Sequence, residues 1–242
     1  MKPGRPSDFL RGAAAGIPVL IGYFPVAVTF GVLSTGYLPM SVSILMSAFV
    51  FAGASQFMAL QLLGTGTGVL QIVFAVFMLN FRHFLMNSSL ARTLIAHNER
   101  GGSEKPFGAP KPLLFSLVTD ETFSVFMTAG SAPTGPFLFG LEIVAYGSWV
   151  LGTWLGFLIG SFLPPVLQES MGTALYALFI ALLVPSVRRS LPAGAAAAAA
   201  AAAHTLLRSV SGVGAGWSII IAIIAGSVVG ALLFPEQDRE AP

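Results

Sequence analysis

Long apolar runs follow one another along this chain, and each is interrupted by glycine, proline or charge. No Asp, Glu, Lys or Arg occurs between Arg11 and Arg82. A membrane-spanning helix needs about 20 predominantly apolar residues, and most of the runs reach that length. The pattern therefore predicts an all-α, polytopic membrane helix bundle of seven or eight hydrophobic elements. The runs cover about 10–36, 41–63, 68–95, 112–132, 136–163, 170–187, 191–208 and 216–234.

Composition supports a lipid environment. Of the 242 residues, 55% are hydrophobic and only 9% are charged, whereas soluble domains carry about 25% charged residues. The net charge of +2 is too small to indicate nucleic-acid binding, and the absence of cysteine excludes disulfides and thiolate metal sites. No phosphate-binding loop, HExxH or GxSxG motif occurs. We therefore expect no cofactor and no metal.

Runs one and five contain residues that break helices. Run one includes Gly16, Pro18, Gly22 and Pro25. Proline removes a helix hydrogen bond, and such breaks are tolerated at membrane depth only where protein or water satisfies the backbone. The pattern predicts that both runs are re-entrant hairpins. The corresponding residues of run five are Pro136, Gly140, Glu142, Gly147, Gly152 and Gly156.

The placement of basic residues tests two topologies. If all runs span and the N-terminus is inside, the basic loop 96–111 lies outside, against the positive-inside rule. If runs one and five are hairpins with arms of roughly 16 Å, that loop, both termini and the Arg188-Arg189 pair lie inside. Only Arg208 is then misplaced. The second topology is preferred, and it predicts a cytoplasmic N-terminus.

The hairpin topology also predicts two inverted repeats, a plan in which substrate binds near the midplane. Residues 1–242 would form a single integral membrane domain. A weak internal similarity supports this arrangement, because residues 31–39 resemble residues 156–164 at an offset of 125. The predicted parts are repeat 1 at about 9–95, a linking helix at about 112–132, repeat 2 at about 134–220 and a last helix at about 216–234.

Run seven is dominated by nine consecutive alanines, residues 195–203. Small side chains let helix backbones approach closely. This run is expected to pack inside the assembly, although low-complexity drift would explain it equally well.

Polar residues appear in the middle of run three. Asn80, Arg82 and His83 lie close to the midpoint of the run, where a charge costs roughly 2.5–3.5 kcal/mol. On a helix, Asn80, His83 and Asn87 share one face, while Arg82 points about 200° away from Asn80 on a helix of 3.6 residues per turn. The asparagine and histidine face could line a cavity, and Arg82 could reach an acid. A structural polar clamp between helices is the alternative.

Two adjacent acids, Asp120 and Glu121, occur in run four. One of them is expected to pair with Arg82, because an unpaired buried charge is costly. The other, or His83, would then be free to carry a proton. The alternative is a water-filled entrance without a role in coupling. Spacing also predicts a continuous polar stripe along one helix, formed by Ser116, Asp120, Ser124 and Thr128.

Run two offers one further polar group near mid-membrane. Gln56 follows Gly53-Ala54-Ser55 and provides both a donor and an acceptor. It could bind substrate or simply join helices. Glu142 is expected near the outer surface in contact with water, and it is given no role in substrate handling.

In combination, these motifs resemble the AzlC family over nearly the whole chain. The resemblance rests on the residues around Gly16–Gly31, on Gly53-Ala54-Ser55-Gln56-Phe57, on Asn80-Phe81-Arg82-His83 and on Thr119-Asp120-Glu121. It implies the large subunit of a branched-chain amino acid exporter in the bacterial cytoplasmic (inner) membrane. It also implies a small AzlD-like membrane partner, valine, leucine, isoleucine and sometimes methionine as substrates, and the proton motive force as the energy source.

The candidate residues suit an amino acid, which needs sites for a carboxylate, an ammonium and an apolar side chain. Arg82 or a helix N-terminus could bind the carboxylate, and Gln56, Asn80 or Asp120 the ammonium. The candidate site for substrate binding or proton coupling comprises Gln56, Asn80, Arg82, His83, Asp120 and Glu121. We expect a transporter rather than an enzyme. A non-transporting scaffold and an intramembrane enzyme that uses His83 and Asp120 are the alternatives.

Overall fold

The computed structural model describes residues 8–101, 111–129, 134–164, 166–167, 180, 183–184, 187–188, 190–209 and 213–233. Within these ranges the regular structure is helical, which confirms the predicted all-α class. The helices with complete bounds are α1 (Asp8–Ala15), α2 (Ile17–Ser34), α3 (Met40–Phe49), α4 (Gly53–Gly64), α5 (Val69–Gly101), α6 (Lys111–Ser116), α7 (Asp120–Thr128), α8 (Gly135–Gly160), α9 (Leu191–Ser209) and α10 (Ala215–Leu233).

Four segments of the described chain are long and apolar enough to cross a membrane. They are Ile17–Ser34, Val69–Leu94, Gly135–Gly160 and Gly216–Leu233. The first three correspond to the predicted runs one, three and five, and the fourth to run eight. Most of run six lies outside the described residues. The predicted total of seven or eight elements therefore stays a prediction.

The chain divides into two compact units. One comprises residues 1–56 and 80–164, and the other residues 57–79 and 165–242. In the first unit, α2 packs closely against α8. A Cβ on Gly31 would lie 2.2 Å from the Thr153 carbonyl oxygen, and one on Gly156 would lie 2.1 Å from the Val28 carbonyl oxygen. Only glycine allows backbones to approach so closely.

The same contacts give the direction of the two helices. Gly152 meets Ala27 near one end of the contact, and Gly160 meets Thr35 near the other. Residue numbers rise together along both helices, so α2 and α8 run parallel. Two inverted repeats would instead make their first helices antiparallel. The inverted-repeat prediction is therefore wrong for these two segments.

Runs one and five are not hairpins, and that prediction is also wrong. In run one, helical hydrogen bonds continue through Gly16, which accepts from the Leu20 N–H. Pro18 occupies the first turn of α2, where an N–H is not needed, and Pro25 is accommodated inside the helix. Run five forms α8, a single helix of 26 residues. The preferred topology, which placed the basic clusters inside, required both runs to be hairpins. It is therefore no longer supported by the hairpins.

The breaks occur instead in runs two and four. Run two forms α3 and α4, and Phe51 between them has a φ of 40°. A left-handed conformation at a non-glycine residue costs roughly 1–2 kcal/mol. Run four forms α6 and α7, separated at 117–119. The predicted single linking helix over 112–132, and the continuous stripe along it, are therefore wrong.

In the second unit, the alanine-rich helix α9 packs against α10. A Cβ on Gly226 would lie 2.8 Å from the Ala196 carbonyl oxygen and 2.9 Å from the Ala200 side chain. The small side chains thus permit a close helix pair, as expected. No residue of α9 is buried, however, so the packing of this helix inside the assembly stays a prediction.

Candidate functional site

An ion pair joins α5 to the start of α7. Arg82 Nη1 lies 2.5 Å from Asp120 Oδ2, and both side chains are 43% exposed. The predicted pairing of Arg82 with one of the two acids is therefore confirmed, and the acid is Asp120. Arg82 lies near the middle of the Val69–Leu94 span. A half-exposed charge pair at that depth must face water or another protein, because lipid cannot solvate it.

The acids begin a helix rather than lie inside one. The Thr119 hydroxyl accepts from the Thr122 N–H, and the Thr122 hydroxyl accepts from the Thr119 N–H. This reciprocal cap starts α7, with Asp120 and Glu121 in its first turn. Carboxylates are stabilised there by the unpaired N–H groups and the helix dipole. The sequence signal was present, as a threonine followed directly by two acids.

The second acid binds a tyrosine from α2 that the sequence analysis missed. The Tyr23 hydroxyl donates to Glu121 Oε2 at 2.5 Å and lies 2.7 Å from the Thr119 hydroxyl. Its ring packs edge-on against Trp149, with centroids 5.3 Å apart. Glu121 is thus held by a partner that no local pattern indicates, because Tyr23 is 98 residues away in the chain.

His83 and Asn87 satisfy backbone groups freed by the break between α6 and α7. His83 Nδ1 lies 3.0 Å from the Val118 carbonyl oxygen, and Asn87 Nδ2 donates to the Phe115 carbonyl at 2.8 Å. A carbonyl can only accept, so Nδ1 donates this hydrogen bond. His83 Nε2 is buried and has no partner among the described residues. These contacts match the structural clamp.

Asn80 and Gln56 face the other break. The Ser55 hydroxyl donates to Asn80 Oδ1 at 2.6 Å. Gln56 is fully buried, donating to the Ser47 hydroxyl at 2.9 Å and accepting from Trp149 Nε1 at 2.8 Å. The Ser47 hydroxyl also lies 2.7 Å from that of Thr153. The Gln56 amide therefore joins α3, α4 and α8 and has no exposed atom in this conformation.

Glu142 departs most from its predicted setting. It was expected at a wet surface, yet it is fully buried in α8. Neither carboxylate oxygen has a hydrogen-bond partner in the described part of the chain. The prediction that Glu142 contacts water depended on run five being a hairpin. It is wrong because run five forms the continuous helix α8.

The structure therefore divides the predicted residues into two groups. Arg82, His83, Asp120 and Glu121 surround the break between α6 and α7, whereas Asn80 and Gln56 contact the region of the break between α3 and α4. No group of three or more His, Asp or Glu residues is placed to hold a metal ion within the described ranges. Together with Tyr23, the first group offers a cation, two acids and a phenol at one helix start.

A family model described as "AzlC protein" matches residues 18–163, more than half of the sequence. The chain belongs to the AzlC family. The matched region contains both helix breaks, the Arg82–Asp120 pair, Tyr23 and Glu142. The resemblance inferred from the motifs is thereby confirmed.

Similar proteins occur in distant organisms. A protein of Archaeoglobus fulgidus named as an uncharacterized membrane protein is 35% identical over 93% of both chains. The inner membrane protein YgaZ of Escherichia coli is 30% identical over 93% of this chain and 89% of its own. The branched-chain amino acid transport protein AzlC of Bacillus subtilis is 27% identical over 69% of this chain and 63% of its own. No solved structure matches the chain.

Proposed function

We propose that this AzlC-family chain is the large subunit of a secondary transporter that exports branched-chain amino acids. Its substrates are valine, leucine, isoleucine and also methionine, and the proton motive force drives export. It works with a small AzlD-like membrane subunit in the cytoplasmic membrane, and it is not an enzyme. Support comes from the Bacillus subtilis relative, which is named a branched-chain amino acid transport protein, and from the candidate membrane spans of this chain.

The Arg82–Asp120 pair carries the proposal. A zwitterion brings one negative and one positive group, so it can replace each partner of an existing ion pair without leaving a charge alone. Arg82 would bind the substrate carboxylate through its planar guanidinium. Asp120, with Glu121 next to it, would bind the ammonium. The half-exposure of both partners gives a substrate access to them.

Neighbouring groups complete the site. The Tyr23 ring lies beside Glu121 and offers apolar surface to an aliphatic side chain, while its hydroxyl holds the carboxylate in place. One methylene in an apolar pocket is worth only about 1–3 kcal/mol of discrimination. Selectivity among the four substrates is therefore expected to be broad. His83 would position the helix break, and Asn80 and Gln56 would support the adjoining helices.

The test is transport in proteoliposomes that contain this chain and its small partner subunit. Arg82→Gln and Asp120→Asn are expected to abolish efflux of labelled leucine, because each leaves one substrate charge without a partner. Insertion and folding are expected to persist, since half-exposed ion pairs contribute only about 1 kcal/mol or less to stability. Protein amount and thermal stability in detergent are measured alongside.

The chain provides a matched control. Arg11 pairs with Asp8 at 3.2 Å, and these side chains are 42% and 40% exposed, close to the values for Arg82 and Asp120. Arg11→Gln therefore removes a similar ion pair outside the site and is expected to preserve efflux. Normal efflux in both site variants would exclude the pair from transport. Absence of efflux in the unmodified complex would favour a scaffold.

A further inference from the structure

A buried acid lies outside the proposed substrate site. Glu142 is the eighth residue of α8, about 10 Å along the helix axis from Gly135 at 1.5 Å per residue. Its side chain is fully buried, and both carboxylate oxygens lack a hydrogen-bond partner among the described residues. An ionised carboxylate in such surroundings costs several kcal/mol unless a positive charge accompanies it.

The helices around Glu142 are packed too closely to admit water from the side of α1. A Cβ on Gly140 would lie 2.1 Å from the Phe9 carbonyl oxygen, and one on Gly16 would lie 3.1 Å from that of Leu141. On α8 itself, Leu138 and Ala145 are also fully buried. The full burial of the carboxylate therefore agrees with close packing of α1 and α2 on this part of α8.

The charged groups on α1 and α2 already have partners. Asp8 pairs with Arg11 and accepts from the Thr134 hydroxyl at 3.0 Å. On α2, the Tyr23 hydroxyl donates to Glu121. None of these groups is placed to neutralise Glu142.

The remaining helices packed against α8 add no available cation in the described part of the chain. Helix α3 carries no titratable group. On α7, Asp120 is paired with Arg82 and Glu121 with Tyr23. Helix α6 begins at Lys111, whose side chain lies outside the described residues. The positive charge that Glu142 requires is therefore not supplied by any described side chain.

We propose that Glu142 binds a proton in this closed conformation and, resting on the proposed function, that this is the proton coupled to amino acid export. A proton neutralises a carboxylate without further ligands. Sodium would need several oxygen ligands in addition to the two carboxylate oxygens of Glu142. Because Glu142 and the Arg82–Asp120 pair are separate groups, proton binding and substrate binding can be removed independently. Release requires α8 to separate from its neighbours and admit water.

Infrared difference spectroscopy tests proton binding without any transport assay. The full-length protein is compared with Glu142→Gln at neutral pH, with Asp8→Asn as the matched control for a partnered acid. The wild-type spectrum minus the Glu142→Gln spectrum is expected to contain the C=O band of a protonated carboxylic acid. The corresponding difference for Asp8→Asn is expected to contain only ionised carboxylate bands. If the glutamine variant does not fold, Glu142→Met replaces it as the reference, because a methionine side chain needs no hydrogen bond.

Two spectroscopic results would overturn the proposal. Ionised carboxylate bands at Glu142 that change when sodium is removed would identify a sodium site. Ionised carboxylate bands that do not change when sodium is removed would show that another side chain, such as Lys111, neutralises the acid. In that case the bands would change in Lys111→Gln.

Transport then tests the coupling role. In proteoliposomes with the partner subunit, Glu142→Gln is expected to lose leucine accumulation driven by a pH gradient while retaining exchange of labelled for unlabelled leucine. Accumulation equal to wild type would contradict coupling through Glu142. If the wild-type complex carries no leucine in either assay while the acid band is present, the proposed function fails and the proton site stands.

Discussion

Both helix breaks, at 50–52 and 117–119, lie in the first unit, and they differ in charge and in exposure. Between α3 and α4 the polar contacts are neutral and buried, and they involve Ser47, Gln56, Trp149 and Thr153. Between α6 and α7 the contacts include an ion pair that is 43% exposed on both sides. The first arrangement satisfies its groups and excludes water. The second leaves charges within reach of a ligand.

The comparison shows that a helix break at membrane depth does not by itself indicate a binding site. Both breaks have their freed carbonyls satisfied by side chains, Ala48 by Tyr146 and Val118 by His83, as a nonpolar solvent requires. What distinguishes them is the presence of charge and exposure. Tyr23 relates the two, because its hydroxyl binds Glu121 and its ring packs against Phe51.

The largest expected effect comes from removing the support that both breaks share. Gly156→Ala places a Cβ 2.1 Å from the Val28 carbonyl oxygen, so α2 and α8 must separate. We expect a loss of at least about 3 kcal/mol, at the upper end for overpacking, and failure of both sites. Thermal unfolding in detergent measures it.

Gly147→Ala is the control on the same helix, because a Cβ there meets nothing within 4 Å. It should leave stability unchanged or slightly improved, since alanine favours helix over glycine. Equal stability of the two variants would show that the parallel packing of α2 and α8 does not support the unit.

An intermediate effect is expected at the neutral break. Gln56→Leu keeps the approximate volume but leaves Trp149 Nε1 and the Ser47 hydroxyl with one partner fewer. Buried groups left unsatisfied cost about 1–3 kcal/mol. Stability should fall by that amount while efflux per folded molecule is retained. Loss of efflux at normal stability would instead make Gln56 a substrate ligand and remove the distinction between the breaks.

The smallest effect on stability is expected at Tyr23, which contacts residues of both helix breaks. Tyr23→Phe removes the donor to Glu121 and keeps the ring contact with Trp149. Glu121 is exposed, so water can replace the lost donor, and the melting temperature should change little while efflux slows. The partial loss should be visible in the initial rate of leucine efflux. An unchanged rate would show that Glu121 needs no positioning by Tyr23.

The polar residues were predictable because the cost of charge in lipid restricts where they can occur. Arg82 and Asp120 stood out from apolar surroundings, and opposite charges at that depth are expected to meet. Tyr23 carried no such signal, since tyrosine is ordinary in a membrane helix. Glu142, which has no hydrogen-bond partner among the described residues, was misplaced because its surroundings depend on helices from distant parts of the chain.

The breaks were mispredicted because glycine and proline have more than one use. In α8, Gly152 and Gly156 allow close packing against α2 and do not interrupt the helix. Pro18 lies where a helix begins and removes no bond. At Phe51 the chain departs from helical geometry through a residue that normally avoids it, so tertiary contacts determine that break. Only the threonine and two acids at 119–121 gave a local signal, typical of a helix start.

The shared direction of α2 and α8 determines whether the number of membrane crossings between them is odd or even. Two helices that cross a membrane in the same sense must be separated by an odd number of crossings. The chain between them supplies α3 with α4, then α5, then α6 with α7. With α5 as one crossing, the two interrupted pairs together contribute an even number of crossings, and residues 35–39 and 161–164 emerge on the same face.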